Sequence, residues 1–156
     1  MKKPIQLVVL TLLLVSCSKE YFFFDSEELA PDGWKAGEAV EFELNSTDTS
    51  SYLDFYLDIR NNDDYPYRNI YVFIEMDFPN GRSLRDTVHF PSLATPDGRW
   101  TGKGIGSTFD NSILYKQGKK LPLPGDYVLR VEHAMRDTFL QGIERVGIHI
   151  ESAGAN

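Results

Sequence analysis

The stretch IYVFIEMDFPNGR, residues 70–82, decides the fold. Its apolar side chains recur at every second position from Ile70 to Phe78, which is the period of a β-strand with one buried face. The PNGR segment at 79–82 predicts a hairpin turn, because Asn-Gly adopts positive φ at little cost. We therefore expect an antiparallel strand pair at this point.

The same period of two occurs on both sides of this hairpin, and long runs of helical period are absent. At least six strands separated by turn-rich segments predict an all-β fold, an antiparallel β-sandwich of the immunoglobulin or jelly-roll kind. A closed barrel is the main alternative. The remaining predicted strands cover residues 40–44, 52–60, 84–90, 127–132 and 146–151.

Other segments are less regular. Residues 91–124 have no long pattern, and we expect short strands or irregular structure there. Residues 137–142 are compatible with a short helical turn. We expect strands 52–60 and 70–78 to pair, in the register that separates like charges and places Tyr56 opposite Tyr71 and Asp54 opposite Phe73.

The N-terminus has the order of a bacterial lipoprotein signal peptide. Two lysines precede an apolar run at 5–15, and Ser16 and Cys17 follow it. The run is shorter than the roughly 20 residues that span a bilayer, and it fits the core of a secretory signal. Cys17 is thus the predicted lipid attachment site, the alternative being an ordinary signal with a chance cysteine. Since Ser18 rather than Asp follows, sorting by the rule of enteric bacteria indicates the outer membrane.

These features divide the chain into three parts. Residues 1–16 form the signal peptide, residues 17–37 a lipidated tether and the first edge of the domain, and residues 38–156 a single β-sandwich domain. The YFFF segment at 21–24 is too apolar for a free linker. We expect it to pack on the domain or to lie near the lipid surface.

The composition restricts the partners. Removal of the signal peptide leaves 14 basic and 23 acidic side chains, a net charge of −9. This charge disfavours both nucleic acid and anionic lipid headgroups as partners. Cys17 is the only cysteine, so its lipidation leaves no thiol for a disulfide or a cysteine-based metal site.

No segment has the pattern of an active site or a cofactor site. His89, His133 and His149 are far apart and fit sheet positions better than metal ligation. The NNDD segment at 61–64 lacks the ligand spacing of a calcium loop, and GKGIGST at 102–108 lacks that of a phosphate loop. We therefore expect no enzyme activity, no cofactor and no metal.

Several segments along the chain form a pattern by their order and spacing. The segments are Cys17, Arg60–Ile70, Asp86–Thr87, Gly98–Gly104, Gly125–Tyr127, Ala134–Arg136 and Gly142–Gly147. Together they resemble the GldH lipoprotein family of gliding motility in the Bacteroidetes. The resemblance implies a non-enzymatic lipoprotein of the cell envelope, associated with the gliding machinery and the secretion system linked to it. It supplies no ligand and no catalytic residue.

Two functions therefore remain open: protein contact within the envelope, and binding of carbohydrate or peptide through aromatic loops. The candidate partner-binding residues come from the segments of the resemblance. Each also has a structural interpretation, in which the tyrosines fix a turn, Trp100 fills the core and Arg136 pairs with a carboxylate. The candidates are Arg60, Asn61, Tyr65, Tyr67, Trp100 and Arg136.

Overall fold

The computed structural model describes residues 21–154, and its regular elements are all strands. None of these residues forms a helix able to span a membrane. In chain order the strands are β1 (Phe23–Glu28), β2 (Trp34–Lys35), β3 (Val40–Ser46), β4 (Leu53–Asn62), β5 (Ile70–Asp77), β6 (Ser83–Phe90), β7 (Lys103–Ile105), β8 (Thr108–Lys119), β9 (Gly125–His133), β10 (Phe139–Leu140) and β11 (Ile143–Ser152).

Two antiparallel sheets pack as a β-sandwich, which confirms the predicted fold class. One sheet has the order β1-β11-β4-β8-β7 and the other β3-β9-β5-β6. A small ribbon pairs β2 with β10. The alternation of buried and exposed residues in β3, β4, β5 and β9 gives each sheet one apolar face. The core between those faces includes Phe42, Phe55, Leu57, Ile74, Tyr127, Leu129 and Ile148.

The sandwich has two ends, which we name from the start of β1. At the proximal end, β1 starts beside the end of β11, with Phe23 opposite Ile150. The loops 47–52, 78–82 and 120–124 also lie at this end. At the distal end lie the loops 63–69, 91–102 and 134–138. The ten residues of β4 separate the two ends by about 33 Å, at about 3.3 Å per residue.

The predicted hairpin at 79–82 is confirmed. The amide of Phe78 donates to the carbonyl of Arg82, and Gly81 has a φ of 77°. The YFFF segment packs on the domain as expected, because β1 pairs with β11 along its whole length. Phe22 and Phe23 contact the core, whereas Tyr21 and Phe24 are exposed.

Three expectations are wrong. Residues 91–124 contain β8, a twelve-residue strand. The sequence pattern does not predict this strand because the buried Asn111 interrupts the apolar alternation. Residues 137–142 form β10 and a turn rather than a helical turn. Finally, β4 and β5 lie in different sheets: Tyr56 lies opposite His149 and Tyr71 opposite His89. The loop 63–69 crosses from one sheet to the other, so these consecutive strands do not pair.

Candidate functional site

The distal end carries a cluster of four aromatic side chains, which we call the distal cluster: Tyr65, Tyr67, Trp100 and Phe109. The ring of Tyr65 lies 5.9 Å from that of Tyr67 and 6.2 Å from that of Trp100. Trp100 is in turn 5.7 Å from Phe109. These residues come from the loop 63–69, the loop 91–102 and β8, so the cluster joins three separate segments.

Tyr65 is the buried centre of the distal cluster, with 3% of its surface exposed. Its hydroxyl donates to the carbonyl of Asn69 at 2.7 Å, which closes the loop on itself. Burial raises the pKa of the Tyr65 phenol, so the ring stays neutral. Gly142 lies directly against the backbone of Tyr65; a Cβ there would approach the Tyr65 amide nitrogen too closely for any side chain.

Trp100 ties two loops together from a half-buried position. Its indole Nε1 donates to Asp63 Oδ1 at 2.9 Å. At the same end, the side-chain amide of Asn111 donates to Asn61 Oδ1 at 2.9 Å, and both asparagines are buried. Buried polar groups need such partners, so the arrangement of this end is specified by hydrogen bonds as well as by packing.

Tyr67 and Arg136 provide the exposed part of the distal end. Tyr67 is 36% exposed. Its hydroxyl bonds to Asp137, and this hydrogen bond is the main cause of the raised pKa of Tyr67. Arg136, next in sequence to Asp137, is also exposed. An aromatic ring and a guanidinium thus both face solvent at the distal end.

Arg60 lies elsewhere, on the outer face of the five-stranded sheet. Its guanidinium makes a bidentate ion pair with Asp110 of β8, at 2.8 and 2.9 Å. Arg145 of β11 contacts the same carboxylate at 3.1 Å. The pairing with Arg60 lowers the pKa of Asp110.

A trough of about 680 Å³ crosses this outer face. Its floor is a row of small or short side chains that lie opposite one another on four neighbouring strands. Cross-strand pairs join Ser26 to Gly147, Gly147 to Asp58, and Asp58 to Ser112. Because Gly147 contributes no side chain, the row stays lower than its neighbours.

One wall of the trough is aromatic. Phe24, His149, Tyr56 and Leu114 follow each other across the four strands. His149 stacks on Tyr56 with ring centroids 4.5 Å apart. Tyr21 packs edge-on against the ring of His149, with centroids 5.1 Å apart.

The opposite wall is charged. This wall follows cross-strand neighbours from Glu28 through Arg145 and Arg60 to Asp110. Lys103 of β7 lies opposite Asp110 at the end of the wall. Two guanidinium groups therefore share the carboxylate of Asp110, and the ammonium group of Lys103 lies at the same end. This end of the trough is suited to an anionic group.

The trough does not have the arrangement of a hydrolase. His149 Nδ1 lies 2.5 Å from Asp58 Oδ2, as in an acid–histidine pair. The other ring nitrogen, however, faces Glu151 Oε1 at 3.4 Å rather than a nucleophilic hydroxyl. Among residues 21–154, no group of three or more His, Cys, Asp or Glu side chains is placed to hold a metal.

The candidate residues thus separate into two places. Asn61, Tyr65, Tyr67 and Trp100 converge at the distal end with Arg136 nearby, whereas Arg60 belongs to the trough. The predicted lipid site, Cys17, lies outside the described residues. The other trough residues were not predicted, because period two assigns a residue to a face but does not tell which strands are neighbours.

Comparisons with known proteins find similar sequences over most of the chain. A family model described as GldH lipoprotein matches residues 22–150. A "Gliding motility lipoprotein GldH homolog" of Christiangramia forsetii is 32% identical over 149 residues, covering 91% of this chain and 90% of that protein. A "Gliding motility lipoprotein GldH" of Flavobacterium johnsoniae is 28% identical over 152 residues and covers 93% of each chain. No solved structure matches the chain.

Proposed function

This chain belongs to the GldH lipoprotein family, and we propose that it is a non-catalytic accessory of the gliding machinery and of the secretion system linked to it. It is a lipid-anchored envelope protein. In the proposal its lipid is on Cys17, its membrane is the outer membrane, and it acts by contact with other envelope proteins.

One observation carries the contact role. Segments of the family pattern that are distant in sequence meet at the distal end, where Trp100 joins Asp63 and Gly142 supports Tyr65. The buried members hold the loops, and Tyr67 and Arg136 are exposed to solvent. A rigid base with an exposed aromatic ring and an exposed arginine is a common composition of a protein-binding hot spot.

Site-specific cross-linking tests this role. A photoreactive phenylalanine analogue replaces Tyr67 in the lipidated protein, and a matched protein carries it at Tyr52, which is 60% exposed at the proximal end. We expect adducts with envelope proteins from position 67, and their loss when Arg136→Ala is added. The same adducts from both positions, or none from position 67, would contradict the proposal.

The trough favours a second candidate, the binding of a peptide or carbohydrate. One aromatic wall, a polar floor and a cationic end can hold an extended ligand with an acidic group. Titration of the protein with soluble muropeptides, followed by NMR, tests this function. We expect shifts at Arg60 and Arg145 that Phe24→Ala abolishes, whereas Phe139→Ala, an exposed phenylalanine outside the trough, leaves them intact. Shifts that are absent, or unaffected by Phe24→Ala, would exclude this candidate.

A further inference from the structure

The loops of the proximal end are unusual in a chain so rich in acidic residues. The three loops 47–52, 78–82 and 120–124 contain a single carboxylate, Asp48. That carboxylate accepts hydrogen bonds from Ser50 and Ser51. The same loops carry the cations Arg82 and Lys120, and the rest of their residues are mainly aromatic, proline, leucine or small polar residues.

Exposed aromatic rings surround this end. Tyr52 is 60% exposed, and the ammonium group of Lys120 lies 4.3 Å from its ring centre. Tyr21 and Phe24 are 40% and 54% exposed and stack on each other at 5.5 Å. Tyrosine and lysine or arginine together are typical of protein surfaces at the level of lipid headgroups.

An apolar recess of about 440 Å³ adjoins the hairpin at 78–82. Its walls include Phe78, Leu84 and Leu123, and Arg82 is part of its lining. Leu84 is 44% exposed. An apolar recess beside a cation matches a phospholipid, in which an anionic phosphate adjoins acyl chains.

The N-terminal attachment sets the distance to the membrane. Tyr21 lies only four residues after Cys17. Four residues reach at most about 14 Å, at 3.3–3.6 Å per residue. A lipid on Cys17 therefore keeps the start of β1 close to the bilayer surface.

We propose that the proximal end is a membrane-contact surface, which holds the sandwich upright on the lipid headgroups. The loops 47–52, 78–82 and 120–124 touch the lipid, and the distal cluster points away from the membrane. The proximal loops suit anionic headgroups better than the distal loops do. The three proximal loops carry two cations and one carboxylate, whereas the three distal loops carry three arginines and four carboxylates. This inference rests on the proposed anchor at Cys17, and its two tests separate the two proposals.

The first test measures depth in the lipidated protein. Lipid blocks Cys17, so a single new cysteine takes a fluorescent probe selectively. Thr49→Cys places the probe in a proximal loop, and Ser107→Cys places it in the distal β7–β8 turn, both at exposed positions. In vesicles of phosphatidylethanolamine and phosphatidylglycerol, we expect lipids with a headgroup quencher to quench the proximal probe several-fold more strongly. Equal quenching, or stronger quenching of the distal probe, would overturn the proposal.

The second test does not depend on the anchor. A mature protein with Cys17→Ser is sedimented with the same vesicles, and the double variant Arg82→Glu with Lys120→Glu should lose most of the bound fraction. The matched control, Arg68→Glu with Arg99→Glu, makes the same charge change at exposed distal positions and should bind normally. Equal losses in both variants, or no binding by the Cys17→Ser protein itself, would overturn the membrane-contact surface. Absence of lipid from Cys17 in the first test would instead refute the anchor.

Discussion

Tyr65 and His133 are both buried aromatic residues with polar atoms, but their surroundings differ. The Tyr65 hydroxyl has a carbonyl partner in Asn69. The ring of His133 packs edge-on against Trp34, and neither ring nitrogen makes a well-oriented hydrogen bond within the described part of the chain. Burial therefore lowers the pKa of His133, and the nearby Trp34 backbone, Glu132 and Asp137 offset this only in part.

Tyr65 contributes to stability through both its ring and its hydroxyl. Tyr65→Phe should lower the free energy of unfolding by about 0.5–1.5 kcal/mol, the net value of one hydrogen bond. Tyr65→Ala should lower it by about 3–5 kcal/mol, because a buried ring is lost. Urea unfolding measures both, with Tyr52→Ala as an exposed control that should change little. Equal effects of Tyr65→Ala and Tyr52→Ala would show that the ring does not support the loop.

His133 should make the domain less stable in mild acid. The unfolded chain takes up a proton near the ordinary histidine pKa of about 6.5, whereas the folded chain resists it. The contribution of His133 is thus fully present above about pH 6.5 and is lost as the pH falls. Urea unfolding at several pH values should show that the free energy of unfolding falls less steeply with decreasing pH in His133→Phe than in the wild type. His89→Phe, at an exposed position, is the control. If His133→Phe shows the same pH dependence of unfolding free energy as the wild type, His133 is not the source of the acid sensitivity.

The loop 63–69 shows how much of a residue's environment can be predicted from the sequence. Tyr65 and Tyr67 flank Pro66 alike, and the sequence correctly indicates that this segment joins two strands. One ring is buried and the other exposed, because the approach of Gly142 and Trp100 covers only Tyr65. Those contacts come from segments far along the chain, so local pattern cannot assign them.

At the level of elements, strand periodicity predicts β3, β4, β5, β6, β9 and β11 but neither the neighbours of each strand nor β8. Asn111 occupies a buried position of β8 where the pattern requires an apolar residue. Its amide is satisfied by Asn61 and by the carbonyl of Ile59. A polar residue can fill a core position when its partner lies on an adjacent strand, and the sequence does not reveal that partner.

The turn that precedes β11 contacts the loop 63–69 closely because Gly142 has no side chain. Gly142 and Gly106 both have positive φ, 77° and 67°, but only Gly142 has atoms within contact distance of an added Cβ. Gly106→Ala should cost about 1–2 kcal/mol of unfolding free energy through the backbone alone. Gly142→Ala should cost about 1–3 kcal/mol more through overpacking. Thermal unfolding of the two variants compares them, and equal losses would argue against a rigid contact.

The whole molecule is a sandwich with two chemically different ends. The proximal end has short loops, exposed aromatic rings and cations, and it includes the start of β1, next to which we propose the lipid attachment. The distal end has longer loops held by buried hydrogen bonds. The described structure therefore places the proposed partner residues Tyr67 and Arg136 about 33 Å, the length of β4, from the start of β1.

Removal of the lipid site should leave only the weaker contact of the proximal end with the membrane. Cys17→Ala is expected to move most of the protein from the membrane fraction to the soluble fraction, or to leave the signal peptide uncleaved. Fractionation and labelling with a fatty-acid probe measure these outcomes, and Ser18→Ala, which keeps the thiol, is the control. Unchanged labelling of the Cys17→Ala protein would place the lipid elsewhere.

The antiparallel pairing of β1 with β11 also has a mechanical consequence. Six consecutive residues of β1, from Phe23 to Glu28, pair with β11. A force that pulls the N-terminus toward the membrane, against a load on the distal loops, acts along the axis of β1. It shears the ladder, so its hydrogen bonds share the tension instead of opening one after another from an end. The first strand is thus oriented so that a load between its start and the distal loops shears the β1–β11 ladder rather than unzipping it.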